Sequence, residues 1–260
     1  MSFSLPTALE PFREQISRTA LPYSRITPLP ARATELWESK VGGHPYLPLG
    51  APLPEGPDGR TLFFLAQINF ADMPPLAGFP EKGLLSFFIN DDDLYGMNFD
   101  EETKGDFFRV LFFPEVLTDP ARLRRDFPVD RPFEELPHHP GQSFPLRFEA
   151  AEEVAPVTDY RFWQTFGPDF FQQFGADEWA VLEEYHKTVS AQGHKVGGYA
   201  YFTQDDPRKA DDPMLLLFQL DSDQPMDLMW GDTGVGHFFI REKDLKQGDF
   251  SRVWFDWDGM

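Results

Sequence analysis

Long apolar runs bounded by turn residues dominate the hydrophobic pattern of this chain. Residues 62–68 and 215–220 are apolar throughout except for a single glutamine in each run, Gln67 and Gln219. Runs of this kind are typical of strands buried on both faces. Residues 83–89, 106–113 and 234–240 predict further strands, and the partial alternation over 144–151 predicts an added one.

Helical spacing is clearest over residues 176–191. Trp179, Leu182, Tyr185 and Val189 recur there every three or four positions, acidic residues precede them and Gly193 follows, which predicts a helix packed across the sheet. A shorter helix is predicted over 8–19. Prolines crowd residues 22–30, so we expect an extended segment on the surface or at a sheet edge.

Two sequence patterns occur twice, in the same order. Lys-Val-Gly-Gly followed by tyrosine appears at 40–46 and at 195–201, and Gly-Asp-Phe-x-Arg-Val-x-Phe appears at 105–112 and at 248–255. The repetition predicts a single globular domain over 1–260, built from unit one (40–114), a connector containing a helix (115–194) and unit two (195–257). We expect a strand-dominated α+β fold, with antiparallel or mixed sheets packed about a pseudo-twofold axis and a few outer helices.

The motifs resemble those of the YwqG-like family, a mostly bacterial group of unknown function. The residues that carry the resemblance are Lys40-Val-Gly-Gly, 64–69, 83–89 with Tyr95-Gly96, Gln204-Asp205 with Arg208, 217–223, and Trp230-Gly231-Asp232 followed by 238–240. The resemblance covers the chain from about residue 35 onwards. It implies a strand-rich fold of two repeats and implies no activity.

Charge narrows the range of partners. The 260 residues include 43 acidic and 23 basic ones, giving a formal net charge of −20. Such a field repels nucleic acid and anionic membranes, so we expect neither as a partner and expect a basic protein instead. No segment has the length and apolarity of a membrane span or the pattern of an export signal, and no cysteine is present. These features predict a cytoplasmic protein.

Polar residues that interrupt or follow the apolar runs are the candidate ligand-binding residues. Asp221 and Asp223 follow the run at 215–220, Trp230 and Asp232 come shortly after, and Asn69 matches Asp221 in unit one. Packing of the two units would place them in one acidic cleft, with Trp230 as an apolar wall. The alternative is that Asp221 and Asp232 only satisfy turn backbone groups. For Gln67 and Gln219 we expect a structural role.

The sequence offers little support for a metal site or a catalytic site. Asp91, Asp93, Gly96 and Glu102 partly imitate a calcium loop, but Tyr95 replaces an oxygen ligand, and a solvated turn explains the segment better. The six histidines are scattered, and no nucleophile elbow or phosphate-binding loop is found. We therefore assign no catalytic residue, metal or cofactor. The sequence favours a non-enzymatic interaction module of immunity or antitoxin type, with a small-ligand-binding or metal-dependent enzyme as the alternative.

Overall fold

One antiparallel sheet of ten strands forms the centre of the molecule. A computed structural model describes residues 3–99, 101–127 and 133–259. The strands are β1 (Leu21–Pro28), β2 (Lys40–Gly42), β3 (Phe63–Asn69), β4 (Leu84–Ile89), β5 (Arg109–Phe113), β6 (Ser143–Glu153), β7 (Lys195–Gly197), β8 (Leu215–Asp221), β9 (Val235–Ile240) and β10 (Trp254–Asp258). Their order across the sheet is β10-β9-β8-β7-β1-β6-β2-β3-β4-β5.

The α-helices are few and short. They are α1 (Arg13–Ser17), α2 (Tyr160–Phe166), α3 (Glu178–Thr188) and α4 (Glu242–Gln247), and short 3-10 turns such as Thr7–Phe12 supplement them. The prediction of a strand-dominated α+β fold is therefore confirmed, with an antiparallel sheet. Within the described ranges, no helix has the length and apolarity needed to cross a membrane.

The sheet curls so that its two halves pack face to face. Phe87 on β4 contacts Phe218 on β8 and Phe238 on β9, with ring centroids 4.8 and 4.6 Å apart. Near the two sheet edges, the rings of Phe108 and Phe255 are 5.7 Å apart. The main core thus lies between the halves, which explains why β3, β4, β8 and β9 are so apolar.

The centre of the sheet is the long ladder between β1 and β6. Leu21 pairs with Glu153 and Pro28 with Leu146. The expectation that the proline-rich segment lies on the surface or at an edge is wrong, because β1 also pairs with β7 on its other side. This is possible because β7 pairs only with Tyr23–Arg25, so neither Pro22 nor Pro28 needs an N–H on both sides.

Residues 115–194, predicted as a connector, contribute a central strand as well as helices. They contain β6, which pairs with β2 as well as β1, and they contain α2 and α3. Strands β2–β5 and β7–β10 form two outer groups, and each group is extended by the strand that precedes the other group in the chain. Strand β1, which precedes β2–β5 in the chain, pairs with β7, whereas β6, which precedes β7–β10, pairs with β2.

Gln67 and Gln219 make corresponding hydrogen bonds in the two halves. The Oε1 atom of Gln67 accepts from Tyr46 N at 2.8 Å, and its Nε2 donates to Leu36 O and Glu38 O, both at 2.7 Å. Gln219 Oε1 accepts from Tyr201 N at 2.9 Å, and its Nε2 donates to two backbone carbonyls at 191 and 193. Each amide is fully buried and ties loops on both sides to its strand.

Two further details of the backbone also correspond. Register shifts occur next to Leu65 in β3 and next to Leu217 in β8, two residues before the respective glutamines. Bulges bend a strand and increase its twist, which favours a curled sheet. The Gly-Gly pairs at 42–43 and 197–198 all have positive φ, between 69° and 76°, which side chains with a Cβ rarely adopt.

The buried lysines at the start of β2 and β7 differ in their partners. Lys195 Nζ donates to Glu153 Oε2 at 2.6 Å, whereas the acceptors of Lys40 Nζ among the described residues are the backbone carbonyls of Glu35 and Leu36. Burial lowers the pKa of Lys40 to about 8, against a smaller opposite effect of the Glu38 and Glu35 charges. In the described structure, a carboxylate therefore accepts a hydrogen bond from the buried ammonium at only one of the two corresponding positions.

Helix α3 packs away from the main core, in a second apolar cluster. Tyr185 and Val181 point into it, together with Leu9 and Ile16 from the N-terminal helical segment and Phe162 from α2. The expectation that Trp179 belongs to the buried face is wrong, since its side chain is 75% exposed. The buried positions of α3 are Val181 and Tyr185, and Trp179 precedes Val181 by two residues, which places it about 200° around the helix, on the solvent face.

The buried amides can be tested by substitution. Replacing Gln67 with leucine leaves Tyr46 N and the Glu38 carbonyl without their partner, and we expect a loss of about 3 kcal/mol in unfolding free energy, measured by urea denaturation. The exposed Gln172 is the control, and Gln172→Leu should change stability by less than about 0.5 kcal/mol. Equal effects at the two positions would contradict the structural role of Gln67.

Candidate functional site

Asp221 and Asp223 lie at the end of β8 and enclose His194. The His194 Nδ1 accepts from Asp221 N at 3.0 Å, and its Nε2 lies 3.1 Å from Asp223 Oδ2. Since Nδ1 accepts a backbone N–H, the ring proton is on Nε2 and is donated to Asp223. That hydrogen bond is the main reason why the pKa of Asp223 lies below its ordinary value.

One carboxylate oxygen of each of these two residues also accepts a backbone N–H. Asp221 Oδ2 accepts from Gly193 N at 2.9 Å, and Asp223 Oδ1 accepts from Met226 N at 3.0 Å. Burial raises the pKa of Asp221. Both residues border a pocket beside β1, with Arg25 on its wall, but their hydrogen bonds mainly hold the surrounding turns in place.

Asn69 and Trp230 are structural in their contacts. Asn69 Oδ1 accepts from Ala71 N at 3.2 Å at the start of a 3-10 turn, and its Nδ2 donates to Trp37 O at 3.0 Å. Trp230 is fully buried in the main core, where its ring meets Tyr95 edge-on at 5.3 Å. Neither residue lines the pocket that contains Asp221 and Asp223.

Asp232 lies elsewhere, in a groove that we call the acidic groove. The groove has a volume of about 540 Å³ and is lined by the carboxylates of Asp205, Asp232, Asp256 and Asp258 and by the rings of Phe99 and Trp257. The structure therefore brings Asp221 together with Asp223 and separates them from Asp232, Asn69 and Trp230. Ligand binding by the five residues stays a prediction, but they do not share one cleft.

The acidic groove forms where the segment between β4 and β5 meets the end of β10. Trp257 Nε1 donates to Leu94 O at 3.0 Å, and its ring packs against Tyr95 with centroids 5.0 Å apart. Gly231 N donates to the Tyr95 hydroxyl at 3.4 Å. These contacts hold the wall that carries Phe99 against the wall that carries the carboxylates.

The carboxylates of β10 repel one another. Asp256 and Asp258 are two residues apart in a strand and so share one face of the sheet. Burial, with added repulsion from Asp258, Glu102 and Asp206, raises the pKa of Asp256 to about 7. Its cross-strand neighbour His237 brings no compensating charge, because burial lowers the pKa of that histidine to about 3.

Asp258 anchors the neighbouring loop. Its Oδ2 atom accepts from Thr203 N at 2.7 Å, from Gln204 N at 2.8 Å and from Thr203 Oγ1 at 3.1 Å. Its Oδ1 atom is buried and has no partner among the described residues. The side chain of Asp256 makes no hydrogen bond within the described part of the chain. The groove thus contains carboxylate oxygens that the described protein groups leave unused.

Arg208 is close to the groove but does not neutralise it. Arg208 is buried and donates to Asp159 Oδ2 at 2.7 Å and to Asp206 Oδ2 at 2.8 Å. Asp159 also caps α2 through the backbone N of Arg161. This ion cluster fixes the loop around Asp206 to α2.

No metal centre is evident in the ranges that the structure describes. No group of three or more histidine or acidic side chains there could hold an ion. In the loop that partly imitates a calcium site, Asp92 Oδ1 accepts from Leu94 N and Gly96 N at 3.0 and 2.9 Å, and Asp91 Oδ1 accepts from Glu134 N at 2.9 Å. Asp92 therefore closes the local turn, and Asp91 ties this loop to the segment at 134–135.

The groove residues Asp205, Asp256, Asp258 and Phe99 were missed as candidates in the sequence. A signal was present, because β10 reads Trp-Phe-Asp-Trp-Asp and charges at alternate positions of an otherwise aromatic strand mark one face as polar. Unit one has no such pair at the matching positions in β5, which reads Arg-Val-Leu-Phe-Phe.

Comparison with protein families identifies the family of the chain. Residues 39–259 match the model of a domain of unknown function, DUF1963, so the chain belongs to that family. In a comparison with curated proteins, nothing matches the sequence.

The electrostatics of the groove predict a measurable pH dependence. The native state binds the Asp256 proton more tightly than the unfolded state does, so this group lowers stability as the pH rises from about 4 to 7. We expect Asp256→Asn to equal the wild type at pH 4 and to exceed it by about 2 kcal/mol at pH 8, measured by urea denaturation. Asp177→Asn, at an exposed position, is the control and should show no such change. A constant difference between the wild type and Asp256→Asn across this range would contradict the assignment.

Proposed function

We propose that this protein is a non-enzymatic interaction module that binds a basic protein in the acidic groove. The observation that carries the proposal is the composition of the groove. Four carboxylates line it, and its lining in the described part of the chain includes no lysine, arginine or histidine. A cation from a partner would relieve the repulsion around Asp256 and Asp258, so the groove is complementary to a lysine or arginine side chain.

The aromatic walls support the same choice of partner. Phe99 is 71% exposed, and Phe99 and Trp257 line the groove together with the four aspartates. Aromatic faces attract ammonium and guanidinium groups, by about 0.5–1 kcal/mol at exposed sites. A basic side chain entering the groove would combine charge pairing with this contact, which favours a cationic segment over a neutral one.

A basic partner also fits the net charge of −20, which accelerates encounters with cationic proteins. One concrete form of this function is an immunity or antitoxin-like protein that holds a basic toxin in the cytoplasm. We also propose that the protein is YwqG-like and that it is a single duplicated domain whose two units pack about a pseudo-twofold axis. The corresponding contacts of Gln67 and Gln219 and the corresponding bulges support the duplication.

The alternative of a small-ligand-binding or metal-dependent enzyme in a cleft between the repeats has less support. The hydrogen bonds described for the Asp221 and Asp223 side chains are with His194 and with backbone groups of turns. They also lie in a different pocket from Asp232.

The proposal is tested by charge reversal in the groove. Asp205→Lys combined with Asp232→Lys changes two exposed residues for which no hydrogen bond or ion pair is found in the described structure. The tagged wild type should retain a basic protein from a lysate of its source at low salt and lose it as salt increases. The double variant should retain at least about tenfold less of that protein.

The matched control is Asp177→Lys combined with Glu184→Lys. It changes the net charge by the same amount at exposed positions next to and on α3. If both double variants lose the partner equally, the net charge and not the groove is responsible. Failure of the wild type to retain any protein above the level of an unrelated acidic protein would contradict the proposal as a whole.

A further inference from the structure

One edge of the sheet is open and unusually apolar. Strand β5 is the last strand on its side and pairs only with β4. Among the described residues, its outward backbone N–H and C=O groups make no hydrogen bond to any other segment. Such a row of free groups is a template for one more strand.

The two edges of the sheet differ in how they discourage further pairing. Strand β10 carries Asp256 and Asp258, and carboxylates on an edge strand oppose association. Strand β5 begins with Arg109, whose guanidinium donates to Glu55 O at 3.3 Å, and continues with four consecutive apolar residues, all half-exposed, without proline, lysine or acidic residues. Its ladder with β4 has no bulge. Carboxylates therefore interrupt β10 at two positions, whereas residues 110–113 of β5 form an uninterrupted apolar edge.

Strand β5 is held firmly from both faces, so its edge is preformed. On the inner face, Phe112 packs on Phe250, with ring centroids 4.8 Å apart. On the outer face, Leu111 packs against the cluster that contains Phe64, and the Phe113 ring lies 5.0 Å from Tyr46. A preformed edge reduces the ordering cost of adding a strand.

We propose that β5 is a docking edge for an extended segment of a basic protein partner, which adds to the sheet as an eleventh strand. Charge selects this occupant. A second copy of the chain would bring another net charge of −20 to the edge, whereas a segment with lysine or arginine beside its apolar core would be attracted. The exposed Glu115, two residues after the end of the strand, provides a carboxylate for such a flanking cation. The inference rests on the proposed function for the class of partner but uses a different surface.

Backbone methylation of a synthetic peptide tests strand addition directly. The probe is a capped peptide of about nine residues, with alternating valine and threonine in the middle and two lysines at each end. Because alternate N–H groups of an added strand face β5, methylating one alternate set should weaken binding at least about tenfold, and methylating the other set should change it little. Binding of the unmethylated peptide, measured by fluorescence anisotropy, should be tighter than about 1 mM.

A protein variant locates the site. Leu111→Lys places a charge on the edge strand and should abolish peptide binding, whereas Leu49→Lys, at a residue that is 70% exposed elsewhere, should retain it. Circular dichroism checks that both variants fold, and the peptide series on the wild type provides the test even if Leu111→Lys does not. No binding of the parent peptide, or equal losses for the two methylated sets, would overturn the proposal.

The result is separable from the groove proposal. The Asp205→Lys and Asp232→Lys double variant should still bind the peptide, because its substitutions lie in the acidic groove and not on β5. A peptide that fails to bind the wild type would leave the groove proposal intact if the groove variant still loses the basic partner. A groove variant that loses the peptide as completely as Leu111→Lys does would overturn the assignment of the peptide to β5.

Discussion

The ladder between β1 and β6 is the contact on which the rest of this fold depends. It is the only place where the two outer groups of strands in the described sheet are joined by backbone pairing, and it runs over eight residue pairs. Strands β2–β5 and β7–β10 each pair in chain order, but the fifth strand of each half is the one that precedes the other group in the chain. Pairing of β1 with β7 spans more than 160 residues, and such non-local contacts carry a large loop-closure entropy. The halves therefore depend on each other for folding.

Local pattern was enough to predict the strands that face the core, because their apolar runs are required by burial on both faces. It also identified Gln67 and Gln219 as structural, since a buried amide within an apolar strand must find partners nearby. The central position of β1 was not predictable in the same way. Proline content suggested an edge, but the tolerance for Pro22 depends on how far β7 extends, which is a property of pairing between distant segments.

The site shows the same division between local and distant information. Asp221 and Asp223 were chosen because they follow a buried strand, and the structure explains that position through His194, a residue 27 positions away in the chain whose contacts no local pattern reveals. Asp256 matters for a different reason. Burial raises its pKa most, and repulsion comes from Asp258 on the same strand and from Glu102 and Asp206 on other segments. The burial and the two distant carboxylates depend on how segments far apart in the chain come together.

The cost of the acidic groove itself argues for a cationic partner. A half-buried carboxylate beside three others destabilises the native state, and natural proteins retain such an arrangement where function requires it. Elsewhere in the same fold, buried carboxylates are neutralised by a cation, because Arg208 lies between Asp159 and Asp206 and pairs with both. No comparable cation faces Asp256 in the described structure. A positive charge from a partner would provide the compensation that Arg208 provides within the molecule. Binding would then relieve the repulsion that destabilises the native state around Asp256.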